Sequence, residues 1–167
     1  MLSPAVQDAL NEQVNHEFES AYIYLSMAAY CDSINLPGAA HWMRLQWQEE
    51  LTHATKLFDF ISDRGGRALL KAIPQPPTEF GSALEVFETA LGHERKITAL
   101  INQLYDLAVR ERDYPTQSLL QWFVNEQVEE EKSATEVVEK LRLIGEQGAM
   151  LFMLDQQLAA RQAEAGA

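Results

Sequence analysis

Apolar residues recur every three or four positions along four long stretches of this chain, with few interruptions. That period is helical, so it predicts amphipathic helices rather than strands. Ser3 followed by Pro4 marks the first start: a serine hydroxyl caps an early N–H, and proline suits the first turn. The pattern runs to about Asp32, where the segment SINLPG breaks it. Pro37 opens a second helix, which runs to about Arg64 and stops at Gly65-Gly66. Residues 65–81 contain KAIPQPPTEFG and read as an extended linker. Ser82, with Glu85 three residues later, is a capping box for a third helix running to about Arg112. Asp113-Tyr114-Pro115 is a short turn, and a fourth helix runs from about Pro115 to Ile144. Gly145 and Gly148 bracket a break before a short fifth helix at about 149–160.

Long helices of roughly 28–30 residues are each about 42–45 Å long. Two of the connections are short, which makes their helices antiparallel neighbours. The linker between helices two and three, about 17 residues, can span up to about 55 Å, enough to traverse a whole helix. The expected fold is therefore all-α: a single domain over 1–167, with a four-helix bundle at about 4–144, one long crossover and the short fifth helix.

Composition narrows the function classes. At 47% hydrophobic residues there is enough apolar surface for a sizeable core. A net charge of −12 without a basic run argues against nucleic acid and for cations as partners. Cys31 is the only cysteine, which excludes a disulfide framework and a four-cysteine metal site; it reads as a small buried apolar residue. The N-terminus lacks a basic start and an apolar core, so it is not a signal peptide. No apolar run approaches the roughly 18–20 residues that cross a bilayer. A cytoplasmic protein with no membrane partner is the expectation.

The chemistry lies in the inward stripes. Helix one presents Leu10, Val14, Glu17, Ala21, Tyr24 and Ala28; helix two presents Met43, Gln46, Glu50, His53, Leu57 and Phe60. Helix three presents Leu84, Phe87, Leu91, Glu94, Thr98, Ile101 and Tyr105; helix four presents Leu120, Phe123, Gln127, Glu130, Ala134, Val137 and Leu141. Each stripe is apolar at its ends and acidic near its middle, and the middles share one level of a bundle. Glu17, Glu50, Glu94, Glu130 and His53 are thus expected to converge. Buried unpaired carboxylates cost several kcal/mol each or take up protons, and no Lys or Arg sits in these stripes. Two divalent cations would balance four carboxylates. Oxygen ligands with one imidazole suit iron or manganese and also admit zinc.

Isolated residues of this kind usually have plain explanations. A single Glu on an apolar stripe is more often a surface residue, and a lone Glu-x-x-His more often chance; four acids at one level are not. His16 and His93 read as solvated or supporting residues, and His41 as a surface or interface residue. A di-metal oxidase that stores nothing, or a metal-free helical interaction module, remain the alternatives from the residues alone.

At these positions the sequence resembles the prokaryotic non-haem ferritins. The likeness runs from NEQVNHEFESAYIYL through QEELTHATKLFDFI to DYPTQSLLQWFVNEQVEEEKS. It implies a cytoplasmic homo-oligomeric cage of two dozen subunits that stores ferric mineral, and a ferroxidase activity that oxidises Fe2+ to Fe3+ with O2 or H2O2. It also implies that Glu17, Glu50 and His53 hold one iron. Glu50 then bridges to a second iron held by Glu94, with Glu130 beside it and Gln127 hydrogen-bonding at the site. Glu49, Glu126, Glu129 and Glu130 match a third iron position on the cavity side. Tyr24 stands where the family keeps a tyrosine near the metals, able to lend an electron. Trp122 matches an aromatic position, and core packing explains it equally well. The fifth helix is expected at four-fold axes, its apolar face formed by Met150, Leu151, Leu154 and Leu158; folding back on its own bundle is the alternative.

The chain departs from related groups at named positions. Bacterioferritins repeat Glu-x-x-His on helix four, where this chain has Gln127 and Glu130. They also place a haem-binding methionine where Leu51 stands, so no haem is expected. The acidic pair lining animal ferritin pores corresponds to Gln117 and Leu120. The animal nucleation glutamates fall on Thr52 and Thr55, with Glu49 retained.

Overall fold

A computed structural model describes residues 2–145 and 147–163. Residues 1, 146 and 164–167 of the expected domain lie outside the described residues. Five helices follow in order: α1 (Pro4–Ser33), α2 (Pro37–Asp63), α3 (Ala83–Arg110), α4 (Tyr114–Ile144) and α5 (Gly148–Ala159).

The helix starts follow their local chemistry. Ser3 Oγ accepts from Val6 N at 3.3 Å ahead of Pro4. Ser82 Oγ accepts from Glu85 N at 3.1 Å, but the Glu85 carboxylate reaches back to Gly81 N, at 2.8 Å, one residue before the expected box. Asp113, expected only as a turn residue, caps α4: its Oδ1 accepts from Thr116 N at 3.2 Å while pairing with Arg64 Nη1 at 2.9 Å. α1 ends through Asn35 in the left-handed region at φ 60, and α2 through Gly65 at φ 74.

The core has two apolar halves. One holds the start of α1, the end of α2, the end of α3 and the start of α4, from Val6, Leu57 and Ile101 to Phe123. The other holds the opposite ends, from Met27, Met43 and Phe87 to Val138. This sorting makes α1 antiparallel to α2 and α3 antiparallel to α4, while α2 and α3 run parallel through the long crossover. A polar layer separates the two halves. Phe60, Leu84, Thr98 and Tyr105, expected to point inward, are only half-buried at the edges of the stripes.

The crossover is tied to α1 in register. Gln7 Oε1 accepts from Arg67 N at 3.3 Å, Asn11 Oδ1 from Leu69 N at 2.7 Å, and Asn15 Oδ1 from Lys71 N at 2.6 Å. The amides of Asn11 and Asn15 donate to Arg67 O and Leu69 O at 3.1 and 3.0 Å. Four residues of helix rise about 6 Å. Two residues of extended chain rise about 6.6 Å, so the two periods match over this length.

α5 folds back on its own bundle, against α2 and α4. Leu154 and Leu158 join the core and Leu151 packs beside it. Met150, the remaining residue of the expected apolar face, is exposed together with Phe152, Met153 and Leu143. Asp155 supplies what the start of α2 lacks. Leu36 offers no side-chain cap, and the Asp155 carboxylate accepts from Gly38 N at 3.0 Å and Ala39 N at 2.8 Å. The approach is close: a Cβ on Gly38 would lie 1.8 Å from the Asp155 carbonyl oxygen.

Candidate metal centre

The polar layer draws groups from all four long helices. Glu17 follows Val14 by three residues and precedes Ala21 by four, so all three share the buried face of α1. Glu50 and His53, one turn apart, lie side by side on α2. α3 contributes Glu94, and α4 contributes Gln127 and Glu130. Exposure is 1% for Glu17, Glu50 and His53, 0% for Glu94, 3% for Gln127 and 6% for Glu130. These groups are cut off from bulk water, so their partners must come from the interior.

Glu17, Glu50 and His53 offer ligand atoms that all lie within 4.8 Å of one another. His53 Nδ1 is 3.5 Å from Glu50 Oε2. Glu17 Oε2, Gln46 Oε1, Glu50 Oε2 and His53 Nε2 are buried without a hydrogen-bond partner among the described residues. Glu17, Glu50 and His53 offer carboxylate oxygens and one imidazole nitrogen, the donor types of a hard or borderline divalent cation.

The other carboxylates are held by side-chain donors. Tyr24 OH donates to Glu94 Oε1, and Gln127 Nε2 donates to Glu94 Oε2 at 3.1 Å. Gln46 Nε2 donates to Glu130 Oε2 at 2.6 Å, and Gln13 Nε2 to Glu17 Oε1 at 2.6 Å. Among the described residues, no Lys or Arg pairs with Glu17, Glu50, Glu94 or Glu130. Burial is the leading cause that raises all four carboxyls above their ordinary value. Neighbouring carboxylates push Glu17, Glu50 and Glu130 the same way, and Glu130 reaches about 8. Burial, then nearby Glu94, also raises the Tyr24 phenol.

The surroundings are aromatic. His53 meets Trp122 edge-on at 5.3 Å, and Lys56 Nζ lies 3.7 Å over the same indole. His93 faces inward rather than to solvent. Its Nε2 lies 2.6 Å from Ser20 Oγ, its ring meets Tyr24 edge-on, and burial lowers it to about 4.

The family model for the ferritin-like domain matches residues 7–144. The chain belongs to the ferritin-like family. A bacterial non-heme ferritin of Staphylococcus saprophyticus is 45% identical to it over 161 residues, covering 96% of each chain. One from Bacteroides fragilis is 44% identical, covering 96% of this chain and all of its own. Among solved structures, an open pore ferritin from the archaeon Archaeoglobus fulgidus superposes with a TM-score of 0.96 at 53% identity. That match covers 97% of this chain and 100% of the other.

In this ferritin-like chain the expected third-position residues are spread in character. Glu49 is buried at 7% exposure and paired with Arg161, with Nη2 to Oε2 at 3.2 Å. Glu126 is half-buried, Glu129 is exposed and Glu130 belongs to the interior layer. Only Glu17, Glu50 and His53 gather closely enough to form a compact ligand group among the described residues. Leu120 is fully buried, and Gln117 donates to Ala108 O at 3.1 Å, so neither lines an acidic surface. Sequence reasoning assigned no role to Gln13, Ser20 or Arg161. Gln13 was findable as a polar residue one turn before Glu17 on the buried face; Arg161 carries no local signal.

Proposed function

We propose that this chain stores iron by oxidising Fe2+ at the Glu17–Glu50–His53 centre and its Glu94–Glu130 extension. The observation that carries the proposal is the gathering of buried ligand atoms of Glu17, Glu50 and His53 within 4.8 Å of one another, with Glu17 Oε2, Glu50 Oε2 and His53 Nε2 lacking a geometric hydrogen-bond partner among the described residues. A cation satisfies them all at once.

In this reading Glu17, Glu50 and His53 hold one Fe2+, and Glu50 bridges to a second beside Glu94 and Glu130. Gln127 and Tyr24 fix Glu94 by hydrogen bonds, and Gln46 and Gln13 hold Glu130 and Glu17. Held as a pair, two Fe2+ give two electrons together. With two protons these reduce O2 to H2O2, or H2O2 to two waters, without free superoxide. Tyr24, buried against Glu94, supplies an electron in this reading only where a third Fe2+ supplies another, the four electrons and four protons then reducing O2 to two waters. Glu49, Glu126, Glu129 and Glu130 form a third iron position that leads toward a cavity. The chain acts as one domain in a cytoplasmic cage of two dozen copies, without haem: Leu51, Gln127 and Glu130 replace the residues that bacterioferritins use. The bacterial non-heme ferritins among its relatives support storage as the outcome.

Glu50→Ala removes the bridging carboxylate. Stopped-flow absorbance after mixing Fe2+ with O2 should then show the fast oxidation phase abolished. A variant oxidising at the rate of the unaltered protein would overturn the proposal.

A further inference from the structure

Arg161 lies two residues beyond α5 and is fixed by three contacts. Its guanidinium sits 4.6 Å over the Trp42 ring, its carbonyl oxygen is 2.9 Å from His41 Nε2, and its Nη2 reaches both Glu49 oxygens at 3.2 and 3.5 Å. Upstream, Leu158 in the core and Asp155 on the start of α2 hold the segment in place. Glu49 immediately precedes Glu50, and its charge acts on both Glu50 and Glu130. The guanidinium keeps its charge at any physiological pH and binds a carboxylate through oriented N–H donors. The chain thus carries its own cation on one of the carboxylates expected to take iron.

We propose that Arg161 is the resident counter-cation of Glu49, which a metal ion must displace before it can use that carboxylate. Like charges exclude one another at such a distance, so guanidinium and Fe2+ compete for Glu49. The compact centre on Glu17, Glu50 and His53 fills first, and the third position fills last and weakly. A swing of one side chain then decides whether the route from the centre past Glu49 is open. Trp42 holds the guanidinium by its ring face and Nη1 is buried, so the arginine is set in place rather than floating at the surface.

The inference rests on the reading of Glu49 as a third-position ligand, and the test separates the two. Full-length protein is titrated with Fe2+ under argon, followed by calorimetry. The unaltered protein should show strong events and one weaker event. Arg161→Gln should tighten the weaker event about ten-fold, the scale of a lost hydrogen bond between charged partners. Arg161→Lys, charged but without the fork, should fall between. Glu49→Gln should abolish the weaker event, and adding Arg161→Gln to it should change nothing further. A purely structural arginine would not produce this dependence on Glu49. If Arg161→Gln leaves the weaker event unchanged while Glu49→Gln removes it, the counter-cation is disproved and the third position stands. If Glu49→Gln alters no binding event, Glu49 is not a ligand and both readings fall.

Discussion

Single side chains in the polar layer carry opposed demands. Glu17, Glu50, Glu94 and Glu130 are buried acids raised above their ordinary value. A carboxyl with a raised folded-state value stabilises the fold most below its unfolded value. For Glu130, that contribution is lost as pH climbs from the ordinary 4.5 through about 8. The metal-free protein should therefore unfold at lower temperature as pH rises across that window, while its affinity for Fe2+ increases because fewer protons must leave. Calorimetric scans and titrations between pH 5 and pH 8 check both directions; a flat affinity would contradict the electrostatics. Tyr24→Phe removes the O–H that holds Glu94 but keeps the ring. It should leave Fe2+ binding largely intact and slow oxidation, separable by titration against stopped-flow. At this scale the acids were legible only together, because one charged residue on an apolar stripe is ordinary and four at one level are not. Gln13 passed as an ordinary polar residue and Gln46 stood on the inward stripe without a role: what each does depends on which carboxylate faces it.

At the scale of elements, helix limits were readable wherever the cap was local, as at Ser3 and Ser82. The start of α2 was readable only through Pro37, because its cap, Asp155, is 116 and 117 residues away in sequence. Periodicity cannot report such a partner, and Asp155 looks like a solvated position on a short helix. Asp155→Ala should cost about 1–2 kcal/mol, the range of a lost helix cap, read by thermal unfolding. Gly38→Ala should cost about 1–3 kcal/mol, since its Cβ meets backbone rather than a side chain that can turn away. α5 was expected at a four-fold axis with folding back as the alternative, and within the chain it folds back with half its apolar surface still outward. One helix can do both: Leu154 and Leu158 point to its own bundle, while Met150, Phe152 and Met153 face away from it.

For the whole molecule, Met150 and Met153 join Leu143 on α4 in an exposed apolar area, while Phe152 is exposed beside Leu151 and Pro37. Removal of residues 146–167 would take away Met150, Phe152 and Met153, together with Asp155 and Arg161. The truncated protein should fail to build a cage, as size-exclusion chromatography or electron microscopy would show; an intact cage would refute a role for α5 in assembly. The long crossover has a different bearing on the proposed cage. An extended segment on a surface is a template on which other extended chains can pair. Here Gln7, Asn11 and Asn15 occupy the peptide groups of Arg67, Leu69 and Lys71. Further along, Pro74, Pro76 and Pro77 have no N–H to offer. The edge of the strap that faces α1 is thereby occupied from Arg67 to Lys71, and stripping those amide side chains should free it for pairing and make the protein sticky well before it melts.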